Sequence, residues 1–134
     1  MTNSSIMRAA VLEEYNSALR LMEMARPKAE AGQVLVRIKA SGVNPLDTKI
    51  RTGNGGHAKQ PLPAVLGVDL AGIVEEVGAG VTGFRIGEEV YGMAGGVGGL
   101  QGSLAEFAAV DAELLAKKKW DFGVACVDVW LKRF

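Results

Sequence analysis

The sequence predicts a mainly β domain, a small barrel or rolled sheet with short helices at most. Three observations carry that prediction. The chain has 18 glycines against four prolines with no tripeptide period, a density that suits turns, bulges and tight corners. Its apolar segments are short and follow one another with turn signals between them. No helical periodicity is clear before residue 100, so the alternating strand–helix order of a doubly wound nucleotide domain is missing. At 134 residues the chain has room for one domain with a modest core.

Taken in order, "MRAAVLEEY" (7–15) and "ALRLMEMA" (18–25) are apolar segments separated by "NS" and read as a hairpin. "RPKAEAGQ" reads as a turn on Pro27 and Gly32. "VLVRIKASGV" (34–43) alternates, with Val34, Val36 and Ile38 on one face and Arg37 and Lys39 on the other, which predicts a half-buried strand. "RTGNGGHAKQPLP" (51–63) reads as a long polar loop. "VLGVDLAGIVEEVG" (65–78) is expected to be one long strand, its glycines marking a bend or a close backbone approach. "EEVYG" is a further strand.

Composition excludes several functions. Lys+Arg and Asp+Glu are 15 each, so nothing favours nucleic acid, and "KKK" at 117–119 reads as a solvated face. No apolar run approaches the ~20 residues of a membrane span. The start "MTNSSI" has neither the charged nor the apolar region of a secretory signal. A single cysteine, Cys126, rules out an internal disulfide. A cytoplasmic protein is the expectation.

"MAGGVGGLQG" (93–102) can be read two ways. Gly96, Gly98 and Gly102 are spaced as G-x-G-x-x-x-G between a strand candidate and the helix-like "SLAEFAAVDAELLAKK", a variant of the fingerprint that seats a pyrophosphate on a helix N-terminus. The alternative is a surface loop that happens to be rich in glycine.

One Cys and one His cannot build a Cys/His zinc cage, so no metal is expected. His57 in "GNGGHAKQ" reads as a solvated loop residue, and Cys126 as a small core residue. The most informative segment is "KASGVNPLDTKIRTG" (39–53), where Asn44 precedes Pro45 and Asp47 follows three residues on. An amide and a carboxylate at a strand end make a hydrogen-bonding corner. The same pattern also makes an Asx-turn and an N-cap for a short helix.

"ASGVNPLDTKIRTG" resembles the signature of the zinc-independent quinone oxidoreductases, the ζ-crystallin-like branch of the medium-chain dehydrogenase/reductase superfamily. Residues 63–92 follow that family's P-x-x-x-G-x-D-x-A-G-x-V-x-x-V-G pattern, and "GSLAEFAAVDAELLAKK" (102–118) is similar to its G-S-x-A-E-[FY]-x-x-V segment. The resemblance implies a GroES-like catalytic domain over 7–118, a partly open, bent β-barrel, after a flexible leader (1–6). Asn44 and Val68 stand where zinc-dependent relatives carry a cysteine and a histidine ligand, which implies chemistry without zinc. Acceptors that need no Lewis acid follow, quinones or α,β-unsaturated carbonyls, reduced by hydride from NADPH. By the same resemblance Asn44 and Asp47 line the catalytic cleft. Asn44 donates to a substrate or ribose oxygen, and Asn44, Lys49 and Arg51 are the cofactor-side candidates. For Arg51 a structural pairing with Asp47 is preferred.

From Lys119 the sequence departs from the family, and no Rossmann domain follows before Phe134. The expectation is a chain that is incomplete as an enzyme and binds NADPH weakly or not at all. An exposed apolar face would then be covered by the tail (119–134) or by homodimerisation. Two alternatives stay open: a non-catalytic binding or assembly module, and a minimal βαβ unit on the glycine stretch with Asp128 as its ribose-binding acid. In the first reading the glycine stretch is a loop of the catalytic domain and "SLAEFAAV" a strand.

Overall fold

The computed structural model describes residues 5–118. The readings placed on Cys126, on Asp128 and on the tail lie outside those residues. Among the described residues the elements are β1 (Ile6–Leu12), β2 (Arg20–Ala25), β3 (Gln33–Ser41), α1 (Pro45–Arg51), β4 (Ala64–Val65), β5 (Asp69–Val77), β6 (Glu89–Met93), β7 (Phe107–Asp111) and β8 (Leu115–Lys117).

They form a three-stranded sheet in the order β2-β1-β4 and a five-stranded sheet in the order β7-β3-β5-β6-β8. All pairings are antiparallel. The segment just before β7 joins the sheets. The Ala10 N–H donates to the Leu104 carbonyl at 2.8 Å and the Glu106 N–H to Arg8 at 3.1 Å, while the Ile38 N–H donates to Glu106 at 2.8 Å. One strand-like stretch therefore leans on β1 from one sheet and β3 from the other, which gives a bent, partly open barrel. The core of the larger sheet gathers Val34, Val36, Leu70, Val74, Val90, Val110 and Leu115. A second cluster of Leu12, Ile50, Ala64 and Leu66 packs α1 against the smaller sheet. Each such side chain contributes about 1.5–3 kcal/mol on burial.

The hairpin forms as expected, with Ile6 opposite Ala25 and Val11 opposite Arg20. On β3, Val34 and Val36 are fully buried, but so is Leu35. The register with β5 shifts between Leu35 and Val36, and such a bulge breaks strict in–out alternation. The 51–63 stretch is less polar in its contacts than it reads. Ala58 and Leu62 pack on the second cluster, and Gln60 is 2% exposed.

The single long strand expected over 65–78 is a correction. It is two strands in two different sheets, β4 and β5. The break falls at Gly67, whose φ of +107° is open only to glycine. A Cβ there would sit 2.2 Å from Ser103 Oγ. The chain thus changes sheets at Gly67, and Asp69 is delivered to the start of β5.

Candidate functional site

Asn44 is the N-cap of α1, Pro45 sits in the first turn, and Asp47 occupies the third helical position. Proline is tolerated there because the first N–H groups of a helix have no partner within it. The Asn44 carboxamide faces the Asp47 N–H without a tight cap hydrogen bond, and the reciprocal half of the capping box is closed. The Asn44 backbone N–H donates to Asp47 Oδ2 at 2.8 Å. The N-cap reading and the hydrogen-bonding corner are thus one arrangement.

Asp47 is 5% exposed, and its Oδ1 has no hydrogen-bond partner. Burial pushes its carboxyl above the ordinary range and the charge of Asp69 adds to this, while the N–H groups of Asn44, Val68 and Gly67 oppose it. Asp69, 7% exposed at the start of β5, accepts a hydrogen bond from Asn44 Nδ2. Its carbonyl accepts the Gly42 N–H at 3.1 Å. Two residues before Gly42's neighbour Val43, Ser41 Oγ shares a hydrogen bond with the buried Ser103 Oγ. The corner therefore joins the end of β3, the start of α1 and the start of β5.

Sequence reasoning gave Asp69 no role. Its signal was the Asp of the G-x-D step in residues 63–92, an acid two positions after a glycine at a strand start. Its partnership with Asn44, 25 positions away, exists only once β3 and β5 pair.

The other candidates lie elsewhere. Lys49 is exposed. Arg51 does not pair with Asp47, which corrects the expected contact. Its Nη1 donates to the Ser17 carbonyl at 2.8 Å, and its own carbonyl accepts the Asn16 N–H at 2.7 Å. Asp47 is turned back to the helix start, whereas Arg51 reaches out to the hairpin turn. His57 is exposed in a one-turn 3-10 segment.

Two exposed apolar side chains adjoin the corner in sequence or register. Val43 is 50% exposed and Met93, opposite Asp69 in the β5–β6 register, is 66% exposed. Two concavities lie away from this corner. One of about 460 Å³ is bordered by Gly32, Phe84 and Glu113, and one of about 280 Å³ by Met24, Gln60 and Leu100. Neither includes Asn44, Asp47 or Asp69.

The described residues do not fit a dinucleotide by themselves. The glycine stretch is followed by β7, a strand, and not by a helix. Two of its glycines serve close backbone packing: a Cβ on Gly96 would lie 2.4 Å from the Gly67 carbonyl oxygen, and one on Gly102 would lie 2.1 Å from that of Leu66. The N-terminus of α1, the one α-helix among the described residues, already faces the Asp47 carboxylate. Among the described residues no three His, Cys, Asp or Glu side chains gather as a metal site.

This bent barrel, with an N-capped turn of helix following strand β3, is the alcohol dehydrogenase GroES-like domain, whose family model matches residues 30–119. The chain belongs to that family. It is 62% identical, with a TM-score of 0.81, to a crystal structure of an alcohol dehydrogenase superfamily protein from Novosphingobium aromaticivorans, over 84% of this chain and 34% of that one. It is 39% identical to the NADPH-dependent alkenal/one oxidoreductase, chloroplastic, of Arabidopsis thaliana, over 84% of this chain and 31% of the relative. Identity to the quinone oxidoreductase of Sus scrofa is 42%, over 75% of this chain and 30% of the relative. The chain thus spans about a third of the length of these relatives.

Proposed function

We propose that this domain is the substrate-side part of an NADPH-dependent oxidoreductase that reduces quinones or α,β-unsaturated carbonyls without zinc. The observation that carries the reading is the Asn44 corner. A carboxamide just past the end of β3 is held by a buried acid, with exposed Val43 next to it in sequence and exposed Met93 opposite that acid in the β5–β6 register. Quinones and enones are flat, largely apolar molecules whose carbonyl oxygen gains negative charge on reduction. An N–H aimed at that oxygen favours the charged state over the neutral one, and apolar neighbours receive the ring or chain.

Two points support the finer parts. Val68 is a buried hydrocarbon side chain and Asn44 a neutral amide, at the positions where the resemblance puts zinc ligands in other branches. The similar alkenal/one oxidoreductase is NADPH-dependent by name. In this reading the part of the relatives that this chain does not span holds the reductant. Asp47 fixes the Asn44 backbone, and Arg51 anchors α1 to the hairpin turn.

The test replaces the matching residues of the full-length Novosphingobium relative with residues 5–118 of this chain. NADPH oxidation is then followed with 1,4-benzoquinone and with trans-2-hexenal. Turnover with either acceptor is expected, and Asn44→Ala should lower kcat by roughly 10²-fold, as for loss of one oxyanion donor. A chimera that binds NADPH yet reduces neither acceptor refutes the proposal. The full chain alone, titrated with NADPH by ligand fluorescence, should show no micromolar binding.

A further inference from the structure

We infer that Asp69 is a positioning residue that locks the Asn44 carboxamide, so that this corner offers a ligand one N–H donor and selects an acceptor oxygen. The inference rests on the substrate-side reading above only for what that donor meets.

A carboxamide carries two N–H donors and one carbonyl oxygen. One N–H goes to Asp69 Oδ2. The oxygen faces the backbone N–H of Asp47 at the start of α1. One donor is left, and it belongs to a side chain that is only partly buried. The flipped amide would set the Asn44 oxygen against the Asp69 carboxylate and the NH2 against the Asp47 N–H. Acceptor would then meet acceptor, and donor would meet donor. A buried carboxylate left with such a neighbour is costly, so Asp69 decides which way Asn44 points. Asp69 is itself fixed, because its backbone pairs with Met93 across the sheet and takes the Gly42 N–H. The other charged group at this corner, Asp47, holds the Asn44 backbone and not its amide. The two acids thus divide the work on one asparagine.

The experiment uses the full chain, labelled with ¹⁵N. The Asn44 side-chain amide is assigned by its loss in Asn44→Ala, and its proton splitting and hydrogen exchange are compared in wild type, Asp69→Leu and Asp69→Asn. Loss of a charge-assisted hydrogen bond should speed exchange of that NH2 by about 10-fold in Asp69→Leu and narrow the splitting. Asp69→Asn, which keeps an acceptor without charge, should fall between. The backbone spectrum reports that the fold persists. Unchanged splitting and exchange in a folded Asp69→Leu overturn the inference. If that variant does not fold, Asp69→Asn decides by the same criterion. The redox reading stands or falls separately with the chimera. Failed turnover beside an Asp69-dependent amide would remove the proposed reaction and leave the lock in place.

Discussion

Replacing single glycines in the 93–102 stretch separates a packing loop from a phosphate loop. Gly102→Ala places a Cβ 2.1 Å from the Leu66 carbonyl oxygen, 2.2 Å from its carbon and 2.6 Å from the Val65 oxygen. All three are backbone atoms, so no side chain can swing aside, and the strands must part by about 0.9 Å to restore even a 3.0 Å contact. That movement pulls on three hydrogen bonds that stitch the segments together: Gly102 N–H to Val65 at 2.8 Å, and Ser103 to Gly67 and Leu104 to Leu66 at 3.0 Å each. Overpacking costs about 1–3 kcal/mol, and one weakened hydrogen bond adds about 1 kcal/mol. The expected loss is therefore about 2–4 kcal/mol, or roughly 6–12 °C in Tm for a chain of this size. Gly98→Ala meets open space and only strains a φ of +59°, which costs about 1–2 kcal/mol. Melting curves by circular dichroism and urea titrations of the two variants give the comparison. Gly98→Ala at least as damaging as Gly102→Ala would refute this account of the loop.

Four further outcomes are expected. The Asp47 carboxyl, followed by its ¹³C shift, should titrate above 3.8. A raised folded value means that its contribution is fully present below the unfolded pKa and is lost as pH rises through the folded one. Glu106, held below 4.5 by the Arg8 hydrogen bond, works in the opposite direction, so Arg8→Ala should cost stability at neutral pH and nothing once Glu106 is protonated in both states. Gln60→Leu removes the 2.6 Å bond from Nε2 to the Leu100 carbonyl and the acceptor for the Gly99 N–H. It should cost about 2–3 kcal/mol and speed hydrogen exchange at Gly99, and unchanged exchange there would contradict the role given to these two hydrogen bonds. Arg51→Ala should lower stability by about 1 kcal/mol through the lost Ser17 bond, whereas the exposed Lys49→Ala should stay within about 0.5 kcal/mol in the same urea titration.

Much of the fold was legible because its signals are local. The hairpin of β1 and β2, the strand character of β3 and the N-cap at Asn44 follow from residues a few positions apart. The helix-like "SLAEFAAV" shows the limit of that logic. Its residues Leu104–Glu106 bond to β1 and β3, and Phe107–Asp111 pairs with β3 along five positions, so pairing overrides propensity. The break at Gly67 was hidden for a similar reason. A glycine in a strand pattern says that something changes, but which sheet each half joins depends on partners 29 or more residues away.

By itself the sequence determined the β class, the cap at Asn44 and the kinship carried by three ordered motif blocks, because these rest on residue types at short spacing. Only the tertiary structure decided that Asp69 holds Asn44, that Arg51 turns to Ser17 and not to Asp47, and that Gly96 and Gly102 make room for the backbone of Gly67 and Leu66. Each of those outcomes is a competition for one partner in space, and the winner is set by which strands lie side by side.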